Sequence, residues 1–458
     1  MVKGLELTQH EAKMWKHRVF GISPFIDSLV KLMLFLLPYD AIRILPSTYK
    51  PISLLVLLLL AFFLFPRIVF SKKSKSSTLF LFFYFGSIFY SFLQCFFLSE
   101  VSDLFLDYFV TFSIGLLLFL VCDNVFAVYS KNKNFHIEFA KILSYAYVLP
   151  NIIALIDLFA VNDVLIPYSI SQLIHSVFGG NQGDRVCGVT FEASWLSMHL
   201  LFSIGCNLYL LNKRVNKRLS LSMIFIALFV LIFSFSMQGY ACLGISVFVY
   251  WIYRVKKAKN GKSRFKLLIS PILLLVSAII LYFVIVPNID ANSYFLIRLQ
   301  NLNLEYFLYS DLSAYVRFFN PVMSLMMISE NYGLGVGGGM FSYYYEKYVT
   351  TYFPWGLDFF GGDNEVVDTI NALNASAKCL YTRIIGENGI FSILYFTFLH
   401  SCLSKRKSND SLVFWLIIVL CLMLQFDSMC FFPFLVFLAF YNNLEKAGSK
   451  HRPAVYLP

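Results

Sequence analysis

Long apolar runs alternate with short hydrophilic breaks along almost the whole chain, as in Pro51 to Phe65, Leu219 to Ser234 and Leu267 to Val286. A helix needs about 20 mostly apolar residues to cross ~30 Å of hydrocarbon, and in lipid its backbone groups satisfy one another. The pattern therefore predicts about twelve spans, over 24–45, 51–70, 78–98, 107–128, 138–160, 191–211, 219–236, 239–254, 267–287, 379–400, 411–427 and 430–444. Lys31, Pro38, Asp40 and Arg43 interrupt the first span. The last two share a tight turn near Asp427 to Pro433, so a re-entrant pair is the alternative there. The predicted fold class is an all-α, polytopic transmembrane helical bundle.

Two outer segments stand out by length, 161–190 and 287–378. The second is far longer than a connector needs to be, and long loops carry function or are disordered. Its many aromatics, among them Tyr343, Tyr344, Tyr345, Tyr348 and Trp355, argue for order, because segments without a core are poor in aromatic residues. The expected organisation is a bundle of nine spans over 1–286, a large ordered outer loop domain over 287–378, and three spans with a tail over 379–458.

Charge then fixes the orientation. Lys and Arg gather in every second break: Lys72, Lys73 and Lys75; Lys131 and Lys133; Lys213, Arg214, Lys217 and Arg218; Arg254 through Lys266; Lys405 to Lys407; and Lys446, Lys450 and Arg452. This alternation is the positive-inside signature. It places both termini in the cytoplasm and accounts for the net charge of +11 without a nucleic-acid partner. Only 14% of residues are charged, against about 25% in soluble domains. The polar stretch Met1 to Phe20 lacks a signal peptide's apolar core, so no cleavage is expected. The nine cysteines and seven histidines show no metal-ligand spacing. Cys187 and Cys379 both fall on the outer side and could pair, although spacing alone does not support that bond.

Three stretches could carry chemistry, all on the predicted outer side. The first runs from Asp184 to Ser194 and includes Arg185, Gly188 and Glu192. Arg185 offers a planar fork suited to phosphate or carboxylate, and Glu192 stands at the head of a helix, where the dipole favours its charged form. The alternative is a helix cap with a structural Arg185–Glu192 pair. The second stretch couples Arg317 and Pro321 to Gly333, Gly335, Gly337, Gly338 and Gly339. Asp311 or Ser313 would cap a helix over Ala314 to Ser329, kinked at Pro321. The glycines could present amides as an anion nest or form a plain turn, and no Gly-Lys-Ser/Thr follows that would make a nucleotide loop. The third contains Arg383 and Glu387, four apart on a helix and thus able to pair with each other or to face a shared outer cavity.

Taken in order, these stretches resemble the O-antigen polymerase and ligase superfamily of bacterial envelope glycan enzymes. Arg185-x-x-Gly188-x-x-x-Glu192 looks like that family's arginine–glycine–glutamate signature, and Arg317 with Gly333 is similar to the Arg-x15-Gly pattern of its polymerases. Gly333-Leu-Gly-Val-Gly and Glu387-Asn-Gly-Ile resemble its later motifs. The chain departs at Ala193, where the family usually has proline. It also departs at Asn371 to Asn374, a region that holds a functional histidine in the ligases and has none here. That departure favours polymerase over ligase. A flippase would show paired halves and midplane charges instead.

The resemblance implies a polymerase in the bacterial inner membrane that joins oligosaccharide repeat units carried on undecaprenyl diphosphate, with its site facing the periplasm. It implies metal-independent transfer, no cofactor, and the lipid-linked oligosaccharide and the bilayer as partners, with a chain-length regulator as an optional further one. Arginines placed in advance would stabilise the departing diphosphate. On this reading Arg185, Arg317 and Arg383, with the amides of Gly333, Gly335 and Gly337, are the diphosphate-binding candidates. Glu192 and then Glu387 are the candidate bases.

Overall fold

The computed structural model describes residues 23–40, 42, 51–98, 102–132, 134–179, 185–234, 236–258, 312–357, 365–404 and 409–444. The span expected over 267–287, and the outer segment up to residue 311, lie outside the described residues. The first helices are α1 (Pro24–Phe35), α2 (Ser53–Phe70), α3 (Lys75–Phe97), α4 (Ser102–Tyr129), α5 (Phe135–Ala146) and α6 (Val148–Val161). Then come α7 (Tyr168–Phe178), α8 (Ala193–Asn212), α9 (Lys217–Phe233) and α10 (Met237–Lys257). The segment expected to lie outside contributes α11 (Leu312–Glu330), α12 (Phe341–Tyr352) and α13 (Glu365–Asn371). The chain closes with α14 (Leu380–Asn388), α15 (Ser392–Leu403), α16 (Asp410–Leu422) and α17 (Phe432–Asn443).

Local chemistry sets many of these boundaries. Ser74 caps α3 by accepting from the Ser77 amide, and Ser236 caps α10 by accepting from the Gly239 amide. Pro433 sits in the first turn of α17, where its missing N–H is no loss. The span expected over 138–160 is two helices meeting at Tyr147. The span expected over 379–400 is likewise divided, with a single 3-10 turn from Gly389 to Phe391 between α14 and α15. The first expected span is helical only as far as Phe35 before it turns through Asp40.

Among the described residues, five helical stretches are long and apolar enough to cross a membrane: α2, α3, α4, the continuous α5–α6 stretch, and α8. The outer faces of α2 and α3 carry Phe62, Phe70, Phe82, Phe85 and Phe96, all well exposed. Water does not tolerate an exposed aromatic surface of this extent on a monomer, whereas hydrocarbon does. The fold is that of a multi-pass membrane protein, with α8 and α17 at its centre. The Trp415 ring of α16 lies where a side chain at Gly205 of α8 would stand. Phe139 stacks on Phe440 at 4.0 Å between ring centroids, and Phe80 stacks on Phe398 at 4.5 Å.

Several polar groups inside the bundle are paired, which offsets the cost of burying them in a low dielectric. The Asp123 carboxylate accepts from Ser74, Ser77, Asn442 and Asn443, which joins the ends of α3, α4 and α17. Asp40 lies 2.8 Å from His199 Nε2, and the other ring nitrogen of His199 lies 2.9 Å from the Tyr147 hydroxyl. His199 is thus a satisfied interior histidine.

A second core packs against the adjoining ends of α3 and α4. Tyr315, Met323, Met327, Phe341, Tyr345 and Tyr348 of α11 and α12 pack with Val366, Ala375 and Ala377. Trp355 meets Phe319 and Phe353 edge to face. Many of the aromatics of 312–357 therefore form a local core.

Candidate active site

The expected Arg185–Glu192 stretch folds as a turn anchored from beneath. Asp157 of α6 is fully buried and accepts from the amides of Cys187 at 2.9 Å and Gly188 at 2.8 Å. The same carboxylate holds Ser171 Oγ at 2.6 Å and His175 Nε2 at 3.0 Å on α7. Gly188 has φ +57°, and a Cβ there would lie 3.1 Å from the Ala154 Cβ. Only glycine meets both conditions without strain. The turn delivers Glu192 to the N-cap position of α8, where Ser194 Oγ donates to Glu192 Oε1.

Glu192 and Arg317 then meet in one cavity of about 230 Å³, lined also by Phe191, Trp195, Gln238, Ser376, Lys378, Gln425, Phe426 and Asp427. These residues come from the start of α8, the start of α10, α11, the segment before α14 and the turn between α16 and α17. The opposite ends of α8 and α10 carry Lys213 and the Arg254–Lys257 cluster, where Arg254 and Lys257 pair with Asp410. The cavity thus opens at the end of the bundle away from the basic clusters.

Arg317 is held in place by neutral groups. Its Nη1 donates to Gln238 Oε1 at 2.7 Å and its Nε to Ser313 Oγ at 3.4 Å. Gln238 in turn donates to the Gln425 carbonyl at 3.1 Å. Lys378 adds a second cation to the lining, on a backbone with φ +56°. A non-glycine residue in that region is strained and persists where the surroundings over-determine it. Asn320 Nδ2 donates to the Ser376 carbonyl at 2.8 Å, which fixes α11 against that strand of chain.

Arg383 and Glu387 pair with each other, Nε to Oε2 at 3.1 Å. Glu387 is fully buried, and neither residue is among those lining the cavity. Arg383 reaches the site through Asp427, with Nη1 3.2 Å from the Asp427 carbonyl and 3.7 Å from its Oδ2.

The glycine loop packs against α14. Val336 N donates to the Gly386 carbonyl at 3.0 Å, and Gly337 N to the Glu387 carbonyl at 2.8 Å. Gly333 N donates to the Ile328 carbonyl, and Gly338 N to Ser91 Oγ. A Cβ on Gly335 would lie 2.6 Å from the Gly386 carbonyl oxygen. These glycines allow close backbone approach, and Gly333, Gly335 and Gly337 stand outside the cavity lining.

Arg185 is exposed at the start of its turn and is also outside the lining. No ion pair joins it to Glu192 among the described residues. Cys187 and Cys379 are both buried and are not joined to one another. The sequence reading thus reached Glu192 and Arg317 but passed over Gln238, Lys378, Gln425 and Asp427 as site residues. The one available signal was position: each stands at the outer end of an apolar run, where a polar group requires a reason.

The arrangement offers two cations, two carboxylates, neutral amides and three aromatic rings in one recess, a set suited to an anionic substrate that also bears hydroxyls and flat apolar faces. No protein-family model matches the chain, and no curated protein matches it.

Proposed function

We propose that this protein is a polysaccharide polymerase of the bacterial inner membrane, which joins oligosaccharide repeat units carried on undecaprenyl diphosphate. On this reading the chain makes about twelve crossings with both termini in the cytoplasm, and 287–378 forms a periplasmic domain. The reading rests chiefly on one observation: Glu192 and Arg317, from two separate signature stretches, line the same cavity at the end opposite the basic clusters. Arg317 and Lys378 bind the diphosphate, where arginine's fork matches two phosphate oxygens and lysine adds a point charge. As the bond from anomeric carbon to phosphate breaks, negative charge grows on the diphosphate and these fixed cations stabilise it. Phe191, Trp195 and Phe426 offer faces for sugar rings, and Glu192 holds acceptor hydroxyls. Arg383, Glu387 and the glycine loop carry the wall of the site, and Arg185 acts from outside it.

Glycan profiling of a strain lacking the protein, complemented with variants, tests this. Arg317→Ala is expected to collapse a ladder of long glycans to single-unit-capped lipid, and Arg317→Lys to restore part of it, since lysine keeps the charge and loses the fork. A normal ladder from Arg317→Ala at normal protein level refutes the proposal. Loss of every capped form points to a ligase or a flippase.

A further inference from the structure

The acceptor hydroxyl loses a proton during transfer, and three carboxylates are near enough to be considered. Glu387 is fully buried behind Arg383 and does not line the cavity. Glu192 lines it, but its Oε1 already accepts from Ser194. Asp427 lines it too, is 9% exposed, and has a buried Oδ2 that accepts no hydrogen bond.

We propose that Asp427 is the catalytic base that accepts the proton of the attacking hydroxyl. This inference rests on the polymerase reading above and adds to it the residue that activates the acceptor.

The charge arrangement supports the assignment. Arg383 has two carboxylate neighbours, Glu387 at 3.1 Å and Asp427 at 3.7 Å. The nearer one takes a direct hydrogen bond from Nε, and the Asp427 carboxylate takes none. One guanidinium neutralises one carboxylate. The Arg383–Glu387–Asp427 group therefore carries one negative charge in excess when all three are ionised, and a buried uncompensated charge is unfavourable. Arg317 and Lys378, which line the same cavity, supply cations that offset it. Arg383 and Glu387 are positioning residues in this scheme, because they act through Asp427.

The acceptor oxygen bonds to the anomeric carbon of the donor, and its proton passes to the Asp427 carboxylate. The carbon–oxygen bond to phosphate breaks, and its electron pair leaves on undecaprenyl diphosphate. Asp427 then releases the proton to water.

The test uses full-length protein in lipid nanodiscs with a synthetic lipid-diphosphate-linked repeat unit, measuring donor binding and turnover separately. Asp427→Asn is expected to bind donor as the wild type does and to lose turnover by about 10²–10⁴-fold, the range for a removed general base. Glu192→Gln is expected to lose less. Asp427→Glu keeps the charge beside Arg383 and displaces the carboxylate, so it folds and still turns over slowly. Turnover near wild type in Asp427→Asn overturns the assignment, as does a loss of donor affinity that matches the loss of turnover. Full activity in Asp427→Glu together with inactivity in Glu192→Gln moves the role to Glu192. Failure of the wild type to extend the donor is a different result, and it sinks the polymerase reading itself.

Discussion

Removing the Asp157 carboxylate should loosen the turn that carries Glu192, and the size of the effect can be worked from its partners. The carboxylate accepts four hydrogen bonds, from the Cys187 and Gly188 amides and from Ser171 and His175. In Asp157→Ala, Ser171 and His175 can turn to one another, since they already stand 3.5 Å apart. The two amides have no such recourse. A buried donor left without a partner costs about 1–3 kcal/mol, so the expected loss is about 2–6 kcal/mol. Asp157→Asn keeps one acceptor oxygen and loses the charge; charge-assisted bonds are about twice as strong as neutral ones, so roughly half that loss is expected. Equilibrium unfolding in mixed micelles measures both, and glycan ladders from the same variants measure the effect on Glu192. Asp157→Ala with wild-type stability and a wild-type ladder would show that the turn does not depend on this carboxylate.

Other outcomes follow from particular contacts. Arg185→Ala should shorten the glycan ladder much less than Arg317→Ala does, because Arg185 lies outside the cavity lining, and equal effects would place both arginines on the substrate. Gly335→Ala should fail to accumulate folded protein, since its Cβ would stand 2.6 Å from the Gly386 carbonyl oxygen at φ +78°; detergent-extracted yield and gel filtration report it. Hydrogen bonds from Tyr352 above all, then Tyr348 and Lys347, hold the Glu330 carboxyl below its ordinary range. A depressed carboxyl stabilises the fold above its unfolded value, near pH 4.3, and that contribution is lost as pH falls through the lower folded value. Limited proteolysis of the outer segment should therefore accelerate below about pH 4, and Glu330→Gln should remove that dependence.

Much of the architecture is legible in the residues, because hydropathy and basic breaks report directly on solvent. The α2, α3, α4 and α8 helices fall where the apolar runs place them. The interruptions are less legible. The break at Gly389 follows from its close approach to Leu334 of the glycine loop, a contact between residues distant in sequence. The site divides in the same way. Glu192 is readable because a charge at the edge of an apolar run is conspicuous, and Arg317 because of its spacing to the glycine stretch. Asp427 and Gln238 become site residues only when separate helix ends are brought together, which no local pattern encodes. The glycine stretch reads either way in the sequence. Glycines suit both an anion nest and a tight backbone contact, and the carbonyls that take the amides of Val336 and Gly337 lie some fifty residues further on. Asp157 escaped notice for a related reason, since its partners on α7 and the turn are 14 to 31 residues away.

The most direct test of the central claim is a reconstituted reaction: purified protein in nanodiscs with lipid-diphosphate-linked repeat units and no nucleotide, followed by mass spectrometry of the lipid and glycan products. Multimers on the carrier should appear together with one released undecaprenyl diphosphate per bond formed, and Arg317→Ala should abolish both. Repeat units recovered unextended after incubation with folded wild-type protein, or extension that Arg317→Ala leaves intact, would contradict the assignment of this cavity as the site of transfer.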